Sequence, residues 1–518
     1  MSWLERRTNF LTVILLAFVL LHITVVFPRL INPDASIFLD LGYRLLDGER
    51  LYVDYEENHS PTIHYLSAVP SAIGRALAIP ASTPFSLMLF IGVSATCFLA
   101  GAWIRRKIPD GQSLGTIVQL SLAVCAVWFY LRFEWGQREH LFLLFYMPWF
   151  IVRVARYQGG TFAPLTLLTV GLAAGIGVSI KPHFVLVAAL PEIFLLLTTR
   201  RFRLLFTLEV LGVGLIAAAN GLYFALQPEV WVAYQVLLSR LVAGYGAYGD
   251  VPPLDILRAR GLTLLIASAP LVGWAVWPRL RRTLPPFILA AACASLGGVM
   301  ILAIQRKGWS NHELPALWMN TIIIGWLLWR GLDALTPSAK RFLVLSLVSL
   351  ATLFAAYYYG NALGILRARD AYAYRLAGYV ERYTAVGDEV LFADPIIFAG
   401  YPMLVVMNRH NASRYPIAGP IPMAYYAYDD VAYTDPNHVV PEYAQDYLDN
   451  FAADLALHTP KLVIIRSSRC EIGCDIIPDL YTYLLARGVI DAAVLPHYDL
   501  VAIDQGFHIY QRKRLSVP

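Results

Sequence analysis

The chain has 518 residues, of which 58% are hydrophobic and only 15% are charged, and its mean hydropathy is +0.56. These values exclude an ordinary soluble globular protein and predict an α-helical polytopic membrane protein. The formal net charge of +5 does not indicate nucleic-acid binding, because the basic residues are mostly distributed among loops between apolar runs.

Apolar runs long enough to span a bilayer recur along the chain. The first run follows Arg6 and Arg7 and has no small-residue cleavage site behind it, so we expect an uncleaved first helix. Segment 61–80 is ambiguous. We expect it to lie along the interface, because counting it as a span would expose the basic residues at 105–107. About eleven transmembrane helices are thus predicted, at residues 10–27, 83–104, 112–131, 139–152, 161–180, 183–199, 204–226, 261–277, 284–304, 314–329 and 342–360.

The loops on one side of these spans hold 16 Lys and Arg residues against three acids. By the positive-inside rule these loops face the cytoplasm, which places the N-terminus inside and everything after Gly360 outside. We therefore expect a multi-pass protein of the plasma (inner) membrane. Residues 1–360 are predicted to form a transmembrane domain with interfacial helices within 31–80.

Residues 361–518 are predicted to form a C-terminal extracytoplasmic α/β domain. The strand-like runs EVLFAD, KLVIIRSS and DLVAID alternate there with helical patterns at about 365–385, 441–457 and 478–487. Cys470 and Cys474 lie in this region and can form a local disulfide if it is extracytoplasmic.

The first outer loop carries seven carboxylates between Asp34 and Glu57. Asn32 is suited to cap a helix, Pro33 to occupy its first position and Gly48 to end it. An apolar face is predicted from Ile37, Leu41 and Leu45, and a polar face from Asp40, Arg44 and Asp47. This pattern predicts an amphipathic helix lying on the membrane.

Asp34 falls in the first turn of that helix, where the chain leaves the bilayer. One interpretation is that it only complements the helix dipole, an effect of about 0.3–1 kcal/mol. The other is that Asp34 is a catalytic base that accepts a proton from an attacking hydroxyl group. The neighbouring Glu56 and Glu57 are expected to be solvated surface charges.

These features resemble the type C (GT-C) glycosyltransferase superfamily. The resemblance is carried by a first helix followed at once by Asp34, an interfacial helix ending in a glycine turn, and LeuTyrValAsp at 51–54 leading to SerPro at 60–61. It implies transfer of a sugar from a polyprenyl-phosphate donor on the outer face, with Asp34 as the essential aspartate of the first loop. Some relatives carry a phosphate-binding Lys before the loop proline. Here His59 is the candidate replacement.

Further candidate residues lie in the other predicted outer loops. At the start of the fourth span, Arg138 can chelate phosphate oxygens, while Glu139 and His140 can orient it, bind a metal or assist proton transfer. Interfacial charges that stabilise the helix end are the alternative interpretation. Lys181, in a third turn that also holds His183, is either a phosphate ligand or a snorkelling lysine.

The loop at 305–315 combines Arg306 and Lys307 with Trp309 and His312. Its cations and His312 suit a phosphate, and Trp309 can stack on a sugar or anchor at the interface. The glycine-rich GlyTyrGlyAlaTyrGlyAsp at 244–250 either closes over substrate, with Tyr245 and Tyr248 contacting sugar, or is an exposed linker.

Together these residues predict an integral membrane enzyme that transfers a sugar to a hydroxyl acceptor, a glycan, lipid or protein, with inversion. The alternatives are a polyprenyl-diphosphate glycan polymerase or ligase and a non-catalytic lipid-linked-sugar transporter or flippase. No cofactor is certain, since cations suffice for a phosphate, although Asp34, Glu139 and His140 can instead hold a divalent metal. The expected partners are the lipid-linked donor, the acceptor and membrane lipids.

Overall fold

The structure, a computed structural model, describes residues 3–109, 111–336, 358–425, 438–468 and 479–514. Two compact units are distinguished by their internal packing. The helical unit comprises Met1–Leu30, Ser86–Leu222 and Val251–Ala368, and the mixed unit comprises Ile31–Phe85, Tyr223–Asp250 and Arg369–Pro518. The boundary predicted at residue 360 stays a prediction.

A helix lies at each of the first ten predicted spans, whereas most of the eleventh falls outside the described residues. These helices are α1 (Trp3–Leu21), α4 (Ser82–Lys107), α5 (Gly111–Leu131), α6 (Arg138–Tyr157), α7 (Pro164–Ile180), α8 (Val185–Thr199), α9 (Leu208–Leu226), α12 (Gly261–Val276), α14 (Pro286–Gln305) and α15 (Leu314–Asp333). Six helices in the described ranges are long and apolar enough to cross a membrane. A seventh is obtained if α11 (Pro253–Ala259) and α12, which meet at 81°, count as one span.

The core of the helical unit forms where α14 packs against α8 and α15, and where α6 packs against α7. α14 has small residues along much of its length, and its Ala290, Ala291, Ala292 and Ala294 are completely buried. Small side chains permit close approach of helix backbones, which is how helices associate when the solvent is itself apolar. Cys97, Cys125 and Cys293 are buried free thiols in this unit.

The mixed unit begins with two helices whose ends follow from local sequence signals. α2 (Pro33–Leu46) starts with Asn32, whose side chain accepts from the Asp34 amide, and it is followed by Gly48 with a φ of 92°. Both the cap and the glycine stop agree with the prediction. α3 (Pro61–Leu77) is likewise capped by Ser60. The two helices pack tightly because a Cβ on Gly42 would lie 2.8 Å from Ser71 Oγ.

The other helices of the described residues lie outside these ten predicted spans. They are α10 (Pro228–Gly244), α13 (Pro278–Thr283), α16 (residues 358–373), α17 (Ala377–Tyr383), α18 (Met403–Val406), α19 (Pro420–Tyr425), α20 (Glu442–His458) and α21 (Leu480–Ala486). The helix predicted at 365–385 is thus interrupted by a turn at 374–376. Cys470 and Cys474 lie outside the described residues.

The mixed unit contains a five-stranded sheet of order β2-β1-β3-β5-β4. Its strands are β1 (Glu389–Ala393), β2 (His410–Asn411), β3 (Leu462–Arg466), β4 (Tyr498–Asp504) and β5 (Phe507–Arg512). β1, β2 and β3 are parallel, with Val390 opposite Leu462 in the β1–β3 register. β5 runs antiparallel to β3 and β4. The predicted α/β architecture of this segment is therefore confirmed.

β1 and β3 are buried on both faces of the sheet. Leu391 and Val463 contribute to one hydrophobic cluster, whereas Val390 and Ile464 contribute to the other. Successive side chains of a strand point to opposite faces, so a strand covered on both sides has a continuous apolar sequence. This explains why these two strands appear in the sequence as uninterrupted apolar runs.

Candidate active site

The turn between α5 and α6 places three polar side chains in the first turn of α6. Phe133 and Gly136 adopt positive φ angles of 67° and 83°, a left-handed conformation that reverses the chain within a few residues. α6 then begins with Arg138, Glu139 and His140. Their exposed fractions are 7%, 0% and 0%. Buried polar groups of this kind are costly unless other groups compensate them.

Glu139 forms a buried ion pair with Lys181, the residue that follows α7. Lys181 Nζ donates to Glu139 Oε1 at 2.5 Å, and Asn311 Nδ2 donates to Glu139 Oε2 at 3.4 Å. The backbone of Lys181 is extended and leads into the short turn Pro182–Phe184. Both carboxylate oxygens of Glu139 are therefore engaged, and two residues predicted for different roles form one charged pair.

The loop between α14 and α15 brings His312 to this pair. His312 lies in the turn Ser310–Glu313 and is only 1% exposed. Burial lowers the pKa of His312 well below its ordinary value, and the charges of Lys181 and Arg138 lower it further against the opposing effect of Glu139. His312 is therefore neutral at pH 7. We call Arg138, Glu139, Lys181 and His312 the charge cluster.

Three other predicted residues of this loop differ in their exposure. Lys307 is buried, whereas Arg306 is exposed and has a φ of 56°. Trp309 is 39% exposed, and its ring centroid lies 5.3 Å from that of His312. The loop thus presents an aromatic face beside a buried imidazole.

Glu313 anchors the same loop. Its Oε1 accepts from Thr263 Oγ1 at 2.6 Å, and its Oε2 lies 3.1 Å from Arg260 Nε. Because Glu313 directly follows His312, these bonds hold the imidazole in place. Arg260, Thr263 and Asn311 were not predicted from the sequence. Only Asn311, next to His312 in a polar run, offered a local signal.

The described contacts of His140 are with residues other than Glu139 and Lys181. The Gly136 amide donates to His140 Nδ1 at 3.2 Å, so Nε2 carries the proton. Its ring is surrounded by Phe129, Trp135 and Trp318, at centroid distances of 5.2, 4.9 and 6.2 Å. The structure therefore places this predicted phosphate ligand in an aromatic environment.

In the mixed unit, Asp34 occupies the first turn of α2. Its amide donates to Asn32 Oδ1 at 2.9 Å, and its side chain is half-buried. Asp34 therefore lies at a helix N-terminus, where backbone amides interact favourably with negative charge.

The expectation that Glu56 and Glu57 are solvated surface charges is wrong. Tyr443 donates its hydroxyl hydrogen to Glu56 Oε2 at 3.4 Å, and burial raises the pKa of Glu56. Glu57 Oε1 makes a short contact with Nδ1 of His59. His59, predicted to hold phosphate, is thus already beside a carboxylate.

The polar face of α2 is also different from the prediction. Asp40 is 1% exposed; its Oδ2 accepts from the Tyr401 hydroxyl at 2.6 Å and its Oδ1 lies 3.4 Å from His410 Nδ1. Arg44 Nη1 donates to the Ser413 carbonyl at 2.8 Å. This face packs against the α/β portion of the mixed unit, because amphipathicity reveals a polar side but not its partner.

The glycine-rich segment forms a defined turn at Tyr245–Tyr248. Tyr248 donates its hydroxyl hydrogen to the Pro395 carbonyl at 3.4 Å. Gly244 lies against Met423, whose Cβ would be 2.5 Å from a Cβ on the glycine. The segment is therefore packed within the mixed unit, and the roles of Tyr245 and Tyr248 in sugar binding stay predictions.

Within the described ranges, no group of three or more His, Cys, Asp or Glu side chains is arranged to hold a metal ion. The set proposed from the sequence, Asp34, Glu139 and His140, is thus not assembled as a metal centre there. In the charge cluster, the groups that contact Glu139 are a cation and an amide donor.

The fold is similar to that of ArnT from Cupriavidus metallidurans. The crystal structure of ArnT bound to undecaprenyl phosphate superimposes with a TM-score of 0.56 and 14% identity, covering 96% of this chain and 97% of that one. The apo structure gives a TM-score of 0.54 and 13% identity, with coverages of 95% and 97%. Neither a protein-family model nor a curated protein sequence matches the chain. The chain thus shares the fold of ArnT over nearly its whole length.

Proposed function

We propose that this membrane protein transfers one sugar from a polyprenyl-phosphate donor to a hydroxyl acceptor on the outer membrane face. The observation that carries the proposal is the charge cluster, in which two buried cations, Arg138 and Lys181, lie beside Glu139. Buried cations of this kind are suited to bind an anionic ligand through charge-assisted hydrogen bonds. The fold similarity to a protein crystallised with undecaprenyl phosphate supports a lipid phosphate as that ligand.

The proposed reaction is a single displacement with inversion. The acceptor oxygen attacks the anomeric carbon while the bond from that carbon to the phosphate oxygen breaks. Asp34 takes the acceptor proton, and the bonding electrons leave with the phosphate. Arg138 and Lys181 stabilise the charge that develops on the leaving group.

Glu139 acts in this proposal by positioning Lys181. A carboxylate that already accepts at both oxygens is poorly suited to remove a proton from an acceptor. Lys307, His312 and Trp309 are proposed to complete the phosphate and sugar contacts from the loop between α14 and α15. Arg306, His59 and His140 stay candidate phosphate ligands.

The test is a transfer assay with purified enzyme in lipid nanodiscs. Radiolabelled sugars on polyprenyl phosphate are supplied together with an extract of envelope lipids and glycans. We expect label to enter an acceptor with the wild type and transfer to fall about 100-fold or more with Asp34→Asn. The matched control is Asp47→Asn, because Asp47 follows the same helix and its side chain is 57% exposed.

Each alternative function gives a different result. A polymerase or ligase would require a polyprenyl-diphosphate donor and would leave the monophosphate donor unused. A flippase would move the donor across the bilayer without labelling any acceptor. Full transfer by Asp34→Asn would reject the assignment of the base while leaving the transferase in place.

A further inference from the structure

The helical unit contains a cavity of about 540 Å³ next to the segment that joins α8 to α9. One charged residue, Arg156 of α6, lines it. The other lining side chains are mainly apolar and include Leu167 of α7, Leu211 of α9 and Phe206, which precedes α9. The volume lies within the range of small-molecule sites, and the lining combines one cation with a hydrocarbon surface.

The apolar side of the cavity continues as an exposed surface. Phe206 is 89% exposed, Phe202 54% and Leu211 53%. Large contiguous apolar surfaces are disfavoured in water and mark sites of contact with another molecule. In a membrane protein, aromatic and leucine side chains beside a basic segment are typical of contact with acyl chains at the interface.

The charged side of the cavity holds a network of two arginines and two glutamates. Arg153 forms ion pairs with Glu209 at 2.8 Å and with Glu192 at 2.7 Å. Arg156 Nε therefore has only a longer contact with Glu209, at 3.5 Å. The guanidinium that lines the cavity thus has the longest ion pair of this network.

The adjoining basic segment supplies an excess of positive charge. Arg200, Arg201 and Arg203 are exposed, and within the described part of the chain no acidic side chain pairs with them. Arg201 Nη1 lies 3.5 Å from the Arg156 carbonyl oxygen, so this guanidinium is close to the α6 end of the cavity. Basic pockets between membrane helices are a recurrent means of binding anionic lipid headgroups.

We propose that this cavity binds an anionic phospholipid. Arg156 and Arg201 contact its phosphate, and one acyl chain lies along Leu167, Phe206 and Leu211. The combination of charge and hydrocarbon surface favours a phospholipid over a soluble anion, which would gain nothing from the apolar lining. This inference does not depend on the proposed sugar transfer, because every residue it uses is distinct from the charge cluster.

The experiment is native mass spectrometry of the delipidated full-length protein with defined lipids. Phosphatidylglycerol, phosphatidylcholine and farnesyl phosphate are added separately at equal concentrations. We expect phosphatidylglycerol to be retained at least about 10-fold more than phosphatidylcholine. Arg156→Gln and Arg201→Gln should each reduce this retention, as should Leu211→Trp, which adds bulk at an exposed position of the cavity wall.

The matched control is Arg281→Gln together with Arg282→Gln. These residues lie in α13, which also has a cluster of arginines, but they do not line the cavity. Retention should be unchanged in this double variant. Equal retention of both phospholipids, retention of farnesyl phosphate alone, or an equal loss in the control would overturn the proposal. Because Arg201 and Leu211 are exposed, their variants keep the test valid if Arg156→Gln does not fold.

Discussion

Lys181 Nζ lies 2.5 Å from Glu139 Oε1, and the exposed fractions of the two side chains are 8% and 0%. The glutamate lies in α6, and the lysine directly follows α7, 42 residues later in the chain. Bringing them out of water is costly for each alone and acceptable only for the pair. The pair therefore contributes to the stability of the helical unit, and it also fixes the position of the Lys181 charge.

Removing one partner of this ion pair should destabilise the protein more than replacing both partners together. We expect Glu139→Gln or Lys181→Met to lower the free energy of unfolding by about 3–5 kcal/mol, because each leaves one buried charge. The double variant should lose less than the sum of the two. Unfolding midpoints in detergent measure the effect.

Arg258→Gln is the control for that experiment, because Arg258 and its ion-pair partner Asp255 are both mostly exposed. It should leave the midpoint nearly unchanged. Additive losses in the Glu139 and Lys181 double variant would show that the two side chains do not interact in solution.

His312 should make the stability of the protein pH-dependent. Burial is the main cause of its lowered pKa, so below pH 6.5 the unfolded chain binds a proton that the folded imidazole does not. Stability therefore falls as the pH drops from about 6.5, by at most about 1.4 kcal/mol per pH unit for this group. His312→Gln should show a shallower decline. Unfolding midpoints between pH 7.5 and 5.5 measure this, and identical slopes would contradict it.

The Tyr401 hydroxyl should stabilise the mixed unit through Asp40. Tyr401→Phe removes the 2.6 Å hydrogen bond to a carboxylate that is 1% exposed. Hydrogen bonds to charged groups contribute about 1.5–3 kcal/mol, and the free energy of unfolding should fall by that amount. Tyr498→Phe is the control, because this buried tyrosine has no hydroxyl partner among the described residues. Equal losses would mean that the ring environment, not the bond, is responsible.

Gly212 should be required for the contact between α7 and α9. A Cβ on Gly212 would lie 2.7 Å from the Gly171 carbonyl carbon, so the two backbones meet at these glycines. Gly212→Ala should cost about 1–3 kcal/mol through overpacking. Gly214→Ala, in the same helix with nothing within 4 Å, should be neutral or stabilising. Thermal unfolding of the two variants measures the difference, and equal midpoints would reject the close contact.

Local signals predicted local structure well. The cap, the first-turn proline and the glycine stop of α2 each act within a few residues, so the sequence around Asn32 and Gly48 was sufficient to predict where this helix begins and ends. The apolar runs of β1 and β3 likewise identified buried strands. β2 contains only His410 and Asn411 and was not predicted, because a two-residue strand exists only through its pairing with β1.

The candidate site could be predicted as a set of residues but not as a set of partners. Positive charges near Arg138 and Lys181 were identified from their loops, whereas the ion pair with Glu139 depends on how α6 and α7 pack. The helix that carries Asp40 is predicted to lie on the membrane, because nothing in the sequence near it indicates Tyr401. The sequence of one helix does not show which distant residues its side chains will contact.

The bond between Asp40 and Tyr401 joins residues that are 361 positions apart. Closing so long a loop is slow, and at synthesis rates of about 5–20 residues per second the partner of Asp40 emerges roughly 20–70 s later. During this interval α2 has left the ribosome while its buried carboxylate lacks the tyrosine. The mixed unit can be completed only near the end of translation, so a chain truncated before residue 401 would leave the helix that carries Asp34 without the surface against which it packs.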